Sequence, residues 1–181
     1  MTIPHGYTRV SEILSFFKDY GHVDPEVLKA KAQIGTNVHQ AISDFFDDVP
    51  YKVEGREIGY FKSFKKWHEK YQMWRVMKEQ RFFNHAEMVT GQCDAIMQWE
   101  LLIPTKVLVD YKTSFEVDEK IWPLQGAFYC WLAKLPIGTE IHFIQLKSDG
   151  SDAFPFQFIY TDELEMMRLS AMRIYKYFNP V

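Results

Sequence analysis

Val107-Leu108-Val109-Asp110-Tyr111-Lys112 is the stretch whose reading decides the fold. Its β-branched and aromatic residues mark a strand. Side chains of a strand alternate faces, so Leu108, Asp110 and Lys112 point one way and Val107, Val109 and Tyr111 the other. A carboxylate and an ammonium thus project together from one rigid element. Just upstream, Gly91-Gln92-Cys93-Asp94 leads into a second strand-like run, Asp94-Ala95-Ile96-Met97-Gln98-Trp99. Two carboxylates and a lysine are the minimal set for holding Mg²⁺ against a phosphate, which suggests phosphodiester hydrolysis. Seen alone, Asp-x-Lys on a strand is more often a solvated cross-strand charge pair.

Outward from that strand, the chain alternates helical and extended patterns. Thr8 or Ser11 is placed to cap a short helix through Phe17, and Gly21 breaks the chain after it. Asp24 as N-cap and Pro25 at the first helical position open a helix to about Asp48. Its apolar row, Ile34, Val38, Ala41, Ile42 and Phe45, has helical spacing. Glu54 to Gln72 forms a second long helix carrying Ile58, Phe61, Phe64 and Trp67. Val76 to Phe83, Met88 to Trp99 and Lys106 to Lys112 read as strands, with turns near Asn84-His85 and Ile103-Pro104. Asp118 to Leu135 is helical, with Pro123 in its first turn. Glu140 to Leu146 and Phe154 to Ile159 are strands around the turn Asp149-Gly150. Thr161 opens a last helix bearing Leu164, Met167, Ala171 and Ile174. The order predicts an α+β domain around a mixed sheet.

Length and composition bound the rest. A chain of 181 residues, 47% hydrophobic, is read as a single domain over 1–181 with a substantial core. Aromatics reach 17%, so burial is expected to be heavily aromatic. The net charge of −3 counts mildly against a nucleic-acid binder. Lys62, Lys65, Lys66, Lys70, Arg75, Lys78 and Arg81 crowd together, however, and form either a basic face or an ordinary solvated one. Cys93 and Cys130 make no disulfide framework, and the ligands of an iron–sulfur cluster are lacking. The N-terminus is polar and no apolar run approaches a membrane span. The expectation is a cytoplasmic protein without a membrane partner.

Further motifs stand on both sides of Asp-x-Lys: Gly35-Thr36-Asn37-Val38-His39 upstream and Gln125-Gly126-Ala127-Phe128-Tyr129 downstream. The order Gly-Thr-x-x-His, Glu, Gly-x-x-Asp, Asp-x-Lys-Thr-Ser, Gln-x-x-x-Tyr resembles the RecB-like branch of the PD-(D/E)XK nuclease superfamily. The likeness is closest to small single-domain phage and mitochondrial genome maintenance exonucleases, and spans about residues 8 to 135. The resemblance implies the restriction-endonuclease-like core, a mixed central sheet flanked by helices, with N-terminal helices before it.

It also implies roles. Asp94, Asp110, the Tyr111 carbonyl and His39 would hold Mg²⁺, for which Mn²⁺ would substitute. Lys112 would orient the attacking water and stabilise developing charge, because an ammonium beside carboxylates favours its charged form. Gln125 and Tyr129, four apart on one helical face, would support Lys112 or contact DNA; the plainer reading is an amphipathic flank. Glu79 would bind a second metal or brace the first ligands, with Glu87 a competitor. Thr36, Thr113 and Ser114 would bond phosphate or merely backbone. The implied partner is DNA, at single strands or ends, with a helicase or recombination partner to supply unwinding. The implied activity is that of a metal-dependent exonuclease; a structure-specific endonuclease or nickase, and a catalytically silent nucleic-acid-binding module, are the alternatives.

Overall fold

A computed structural model describes residues 3–18, 24–99 and 105–180. The chain opens with β1 (Thr8–Arg9) and α1 (Val10–Ser15), then α2 (Pro25–Phe46) and α3 (Glu57–Tyr71). Four strands come next, β2 (Trp74–Met77), β3 (Gln80–Asn84), β4 (Val89–Cys93) and β5 (Ala95–Gln98). The remainder is β6 (Lys106–Lys112), α4 (Ile121–Leu132), β7 (Glu140–Gln145), β8 (Phe154–Ile159) and α5 (Asp162–Phe178). The expected turns at Gly21 and Ile103-Pro104 lie outside the described residues.

Instead of one mixed sheet there are two. A three-stranded sheet runs β1-β4-β3 and a five-stranded sheet runs β2-β5-β6-β7-β8. The split falls inside both of the long strands expected from the sequence. The 76–83 run breaks at Lys78-Glu79, between β2 and β3. The 88–99 run breaks at Asp94, where the chain leaves one sheet and enters the other. The antiparallel ladder of β5 with β6 ends at the pair Ala95–Val109. Beyond it, the Asp94 carboxylate rather than a backbone carbonyl takes the Tyr111 N–H, at 2.7 Å.

Several element ends have visible causes. Asp24 Oδ1 accepts the Glu26 N–H at 2.8 Å with Pro25 in the first turn, so α2 begins where a cap and a pre-set φ coincide. The next helix starts at Glu57 rather than Glu54, because Gly55 sits at φ +52°, outside the right-handed helix. Thr161 caps α5 through the Leu164 N–H at 3.2 Å, with Asp162, Glu163 and Glu165 in its first turn favoured by the helix dipole. Near the N-terminus neither Thr8 nor Ser11 serves as cap. Thr8 and Arg9 pair in parallel with Val89 and Thr90, and Glu12 reaches back to the Arg9 N–H at 3.0 Å.

The alternation of β6 divides the interior. Leu108 joins a core with α1, α4 and α5, including Val10, Phe128 and Met172. Val107, Val109 and Tyr111 join a second core under α2 and α3, with Val38, Phe64 and Trp67. Emptying such a core position, Phe64→Ala for example, typically costs about 3–5 kcal/mol. Because β6 and β7 run parallel, their connection must cross over one face, and α4 makes that crossing. It lies close on both sides: a Cβ at Gly126 would meet Ile141 Cγ2 at 2.6 Å, and one at Gly91 would meet Leu132 Cδ1 at 2.7 Å. Both glycines are therefore packing glycines, and they set α4 directly against β4 and β7. Cys93 and Cys130 are buried free thiols in this region. Among the described residues, no helix is long and apolar enough to cross a membrane.

Candidate active site

Four elements meet at the C-terminal end of β6. From β6 come Asp110 and Lys112, on the face that looks toward α4. Lys112 Nζ lies 2.5 Å from Asp110 Oδ2 and donates to Gln125 Oε1 at 2.9 Å. Gln125 Nε2 donates in turn to the Tyr129 hydroxyl, one helical turn along α4, at 2.8 Å. From the junction of β4 and β5 comes Asp94, and from α2 comes His39, whose Nδ1 lies 2.9 Å from Asp94 Oδ1. The Tyr111 N–H holds the other Asp94 oxygen. One relay of contacts therefore runs from α2 past the junction of the two sheets to α4.

The register explains the convergence. Asp110 and Lys112 are two apart on a strand and share a face. Gln125 and Tyr129 are four apart on a helix and share a face. Tyr111 points the other way, where its ring meets Phe64 and Trp67 edge-on at 5.4 and 5.8 Å. That anchorage fixes the strand whose backbone grips Asp94. The N–H and C=O of a strand residue face the same edge, so the Tyr111 carbonyl opens to the Asp94 side, past the end of the β5 ladder.

The two carboxylates are driven apart in acidity. Burial pushes the Asp110 carboxyl up to about 6, helped by the Asp94 charge and opposed by Lys112. Burial would raise Asp94 too, but the His39 ring and the Tyr111 N–H reverse the effect and leave it below the usual carboxylate range. Burial alone would lower His39; Asp94, by charge and hydrogen bond, lifts it to about 9. Burial and the Asp110 charge hold the Tyr129 phenol well above its ordinary value, so its hydroxyl serves as a hydrogen-bonding group. Two carboxylates forced apart in this way are what general acid–base and metal sites exhibit.

Among the described residues, no three His, Cys, Asp or Glu side chains already form a metal cage. The donors satisfy one another instead. Mg²⁺ needs no such cage: it takes one or two protein carboxylates and fills its octahedron with water and phosphate oxygens. Asp94, Asp110 and the Tyr111 carbonyl are hard oxygen donors of that kind. Asp110 Oδ2 is fully buried, met by the Lys112 ammonium but by no well-aligned hydrogen bond. Beside Asp94 a cleft of about 10 Å³, lined also by His39, Glu79 and Tyr111, has room for one water-sized species. Asp94 thus borders a space the size of one ion or water, while Asp110 is not among the residues that line it. His39 Nδ1 is committed to Asp94, which leaves Nε2 as its remaining ligand atom.

Glu79 stands on the wall of that cleft and accepts from Gln92 Nε2. Its competitor Glu87 lies elsewhere, paired with Lys176 of α5 at 2.6 Å. Thr113 sits beside Gly35, whose added Cβ would lie 3.2 Å from Thr113 Oγ1, so α2 passes close over the end of β6. Thr36 is exposed and bonded to the Ala32 carbonyl at 3.0 Å, and Ser114 to the Glu116 carbonyl at 3.1 Å. These two hydroxyls are engaged by backbone rather than by the cluster. Of the crowded basic residues, Arg75 and Lys78 both pair with Asp47, and Lys66 pairs with Asp152 at 3.6 Å. Sequence reasoning missed Gln145, which with His142 interrupts the otherwise apolar residues Ile141–Leu146. That interruption was the available signal.

No protein-family profile matches the sequence, and no curated protein does. Solved structures do resemble it. Over 96% of this chain and 82% of the other, it is similar to a protein of Eubacterium rectale provisionally assigned as an exonuclease, with 12% identity and a TM-score of 0.54. A phage-related exonuclease from Haemophilus somnus 129PT aligns over 93% of this chain and 92% of its own, with 17% identity and a TM-score of 0.37. The first likeness shows the fold: the two chains share an α+β architecture, here with helices on two mixed sheets.

Proposed function

We propose that this chain hydrolyses DNA phosphodiester bonds with Mg²⁺, at strand ends or on single strands. One observation carries the reading. Asp94 with His39, and Asp110 with Lys112, Gln125 and Tyr129, converge on the end of one strand in a largely half-buried relay joined through the Tyr111 backbone. A chance set of motif matches would have scattered these six residues over the surface.

Asp94, Asp110 and the Tyr111 carbonyl would hold the ion, with His39 Nε2 as a further ligand. When bound, it polarises the scissile phosphate and lowers the pKa of a water. Lys112 has three N–H donors; one goes to Gln125, the ammonium lies against the Asp110 carboxylate, and the donors without an aligned partner would meet the attacking water or a phosphate oxygen. Lys112 is thereby aimed before substrate arrives, which is the condition for electrostatic stabilisation of the transition state. Gln125 is a positioning residue acting through Lys112, and Tyr129 positions Gln125. His39 holds Asp94 in place. The buried surroundings strengthen each of these charges relative to water.

The test is degradation of end-labelled linear single- and double-stranded DNA beside a closed circle, with Mg²⁺, Mn²⁺ or EDTA. Asp110→Ala and Lys112→Ala run alongside. Metal-dependent loss of linear strands, sparing the circle and absent in both variants, is the expected result. Lys112→Ala should lower turnover far more than DNA binding. Cutting of the circle would make the enzyme an endonuclease, and binding without cleavage a silent module. Activity surviving both substitutions would overturn the site.

A further inference from the structure

Phe115 is the most exposed large apolar side chain among the described residues, at 93%. It lies three residues past Lys112, where the chain leaves β6. An extended chain covers at most ~3.6 Å per residue, so the two Cα atoms are within ~11 Å.

Its backbone is nevertheless pinned. Gln145, the β7 partner of Lys112 in the sheet register, is buried. From Nε2 it donates to the Ser114 carbonyl at 3.1 Å and the Phe115 carbonyl at 2.7 Å. Lys147 Nζ donates to Gln145 Oε1 at 2.5 Å, so both ends of the amide are engaged. The far end of the loop is fixed as well, since Asp118 Oδ1 accepts the Ile121 N–H at 2.9 Å and its carboxylate pairs with Lys18. A loop held this firmly offers its one large ring to solvent. Apolar surface is better off out of water, so the arrangement suits an external apolar face.

We propose that Phe115 is a stacking platform for an unpaired base of the DNA strand whose phosphate sits at Asp94, Asp110 and Lys112. The inference rests on the nuclease reading and specifies its substrate. Bases stack on aromatic rings whatever their sequence. At ~3.4 Å per stacked nucleotide, the reach from Lys112 to Phe115 covers about three, so the stacked base belongs to a nucleotide close to the cleaved bond. Inside a duplex both faces of a base are occupied by neighbours. The ring therefore takes a base only from a single strand or a frayed end. Lys147, at the root of the clamp, adds positive charge where such a strand would pass.

The test separates base contacts from phosphate contacts. Binding of a labelled dT oligonucleotide and of an abasic strand of the same length is measured by anisotropy in EDTA, for wild type, Phe115→Ala and Phe115→Trp. Wild type should prefer the strand with bases. Phe115→Ala should lose about 5- to 100-fold on that strand, the span of base–aromatic stacking, and little on the abasic one, while Phe115→Trp restores the preference. Equal losses on both strands, no loss, or an equal loss on blunt duplex would overturn the platform. Cleavage of the same dT strand with Mg²⁺ keeps the two readings apart. Cleavage with a base preference indifferent to Phe115 overturns the platform alone. A Phe115-dependent preference without cleavage overturns the nuclease alone. Neither binding nor cleavage overturns both.

Discussion

Two clusters of charge pack against α4 through different residues, and they are built on different plans. On the α5 side, Arg168 is 2% exposed and gives two hydrogen bonds to Glu165, at 2.7 and 2.5 Å. The Tyr160 hydroxyl donates to the same carboxylate at 2.5 Å, and the guanidinium lies 4.1 Å from the Trp131 ring centroid. One cation faces one anion, and burial, which would raise Glu165, is outweighed by its hydrogen bonds, so its pKa is lowered. On the β6 side, two carboxylates share one neighbourhood and their acidities are pushed in opposite directions. Burial of charge alone therefore does not mark a site. A cluster whose charges answer one another holds the fold, and one that carries an internal conflict is available for chemistry.

Substitutions can break or sharpen that contrast. The largest effect is expected from Asp110→Asn, which should cut turnover by at least about a thousandfold, the scale of losing a principal transition-state contact. Its melting temperature should hold or rise, since a buried like charge beside Asp94 has gone; a clear fall would erase the contrast. Arg168→Ala should do the reverse, clearly lowering the urea midpoint by leaving Glu165 only its Tyr160 hydrogen bond, with turnover per folded molecule unchanged. Arg168→Met, which fills the space with apolar atoms, should cost much less. Gln125→Ala should lower kcat about 10- to 100-fold, as loss of a supporting partner does, with DNA binding retained. Tyr129→Phe removes one hydrogen bond of about 1 kcal/mol and should lower kcat about fivefold.

The smallest effect is a pH dependence. Glu165 has a folded pKa below its unfolded one, so it binds protons more readily when unfolded. Its contribution is present above the unfolded value of about 4.3 and fades as pH falls through the lower folded value. Urea midpoints of wild type and Glu165→Gln should therefore converge below about pH 4.

The contrast also shows what a sequence makes legible. The faces of β6 could be read directly, because alternation on a strand is a local property. So could the Asp24-Pro25 start of α2 and the Thr161 cap, which depend on neighbours two or three residues away. The division into two sheets was not legible. Asp94 is one polar residue among others in its run, the polar stretch Lys78 to Arg81 does not by itself say which sheet each side joins, and only the partner strands decide where each run bends. The pairing of His39 with Asp94 has the same origin, since nothing near His39 names its partner. Glu79 and Glu87 were indistinguishable by type, and tertiary packing sends one to the cleft and the other to α5. Phe115 and the Gln145 clamp belong to no motif. In a sequence with fifteen Phe, only exposure tells one such ring from the rest.

Asp94 stands where the chain passes from one sheet to the other, and that position carries a kinetic consequence. Its partner His39 is 55 residues away in sequence and its contact with Tyr111 closes a separation of 17. Contacts of long sequence separation form late, because loop closure must precede them. In refolding, helix signal should therefore return well before turnover, and a chain still assembling its two sheets would lack the site of the proposed function. Under that reading, catalytic competence becomes a report that folding is complete, a useful property in a protein that cuts DNA.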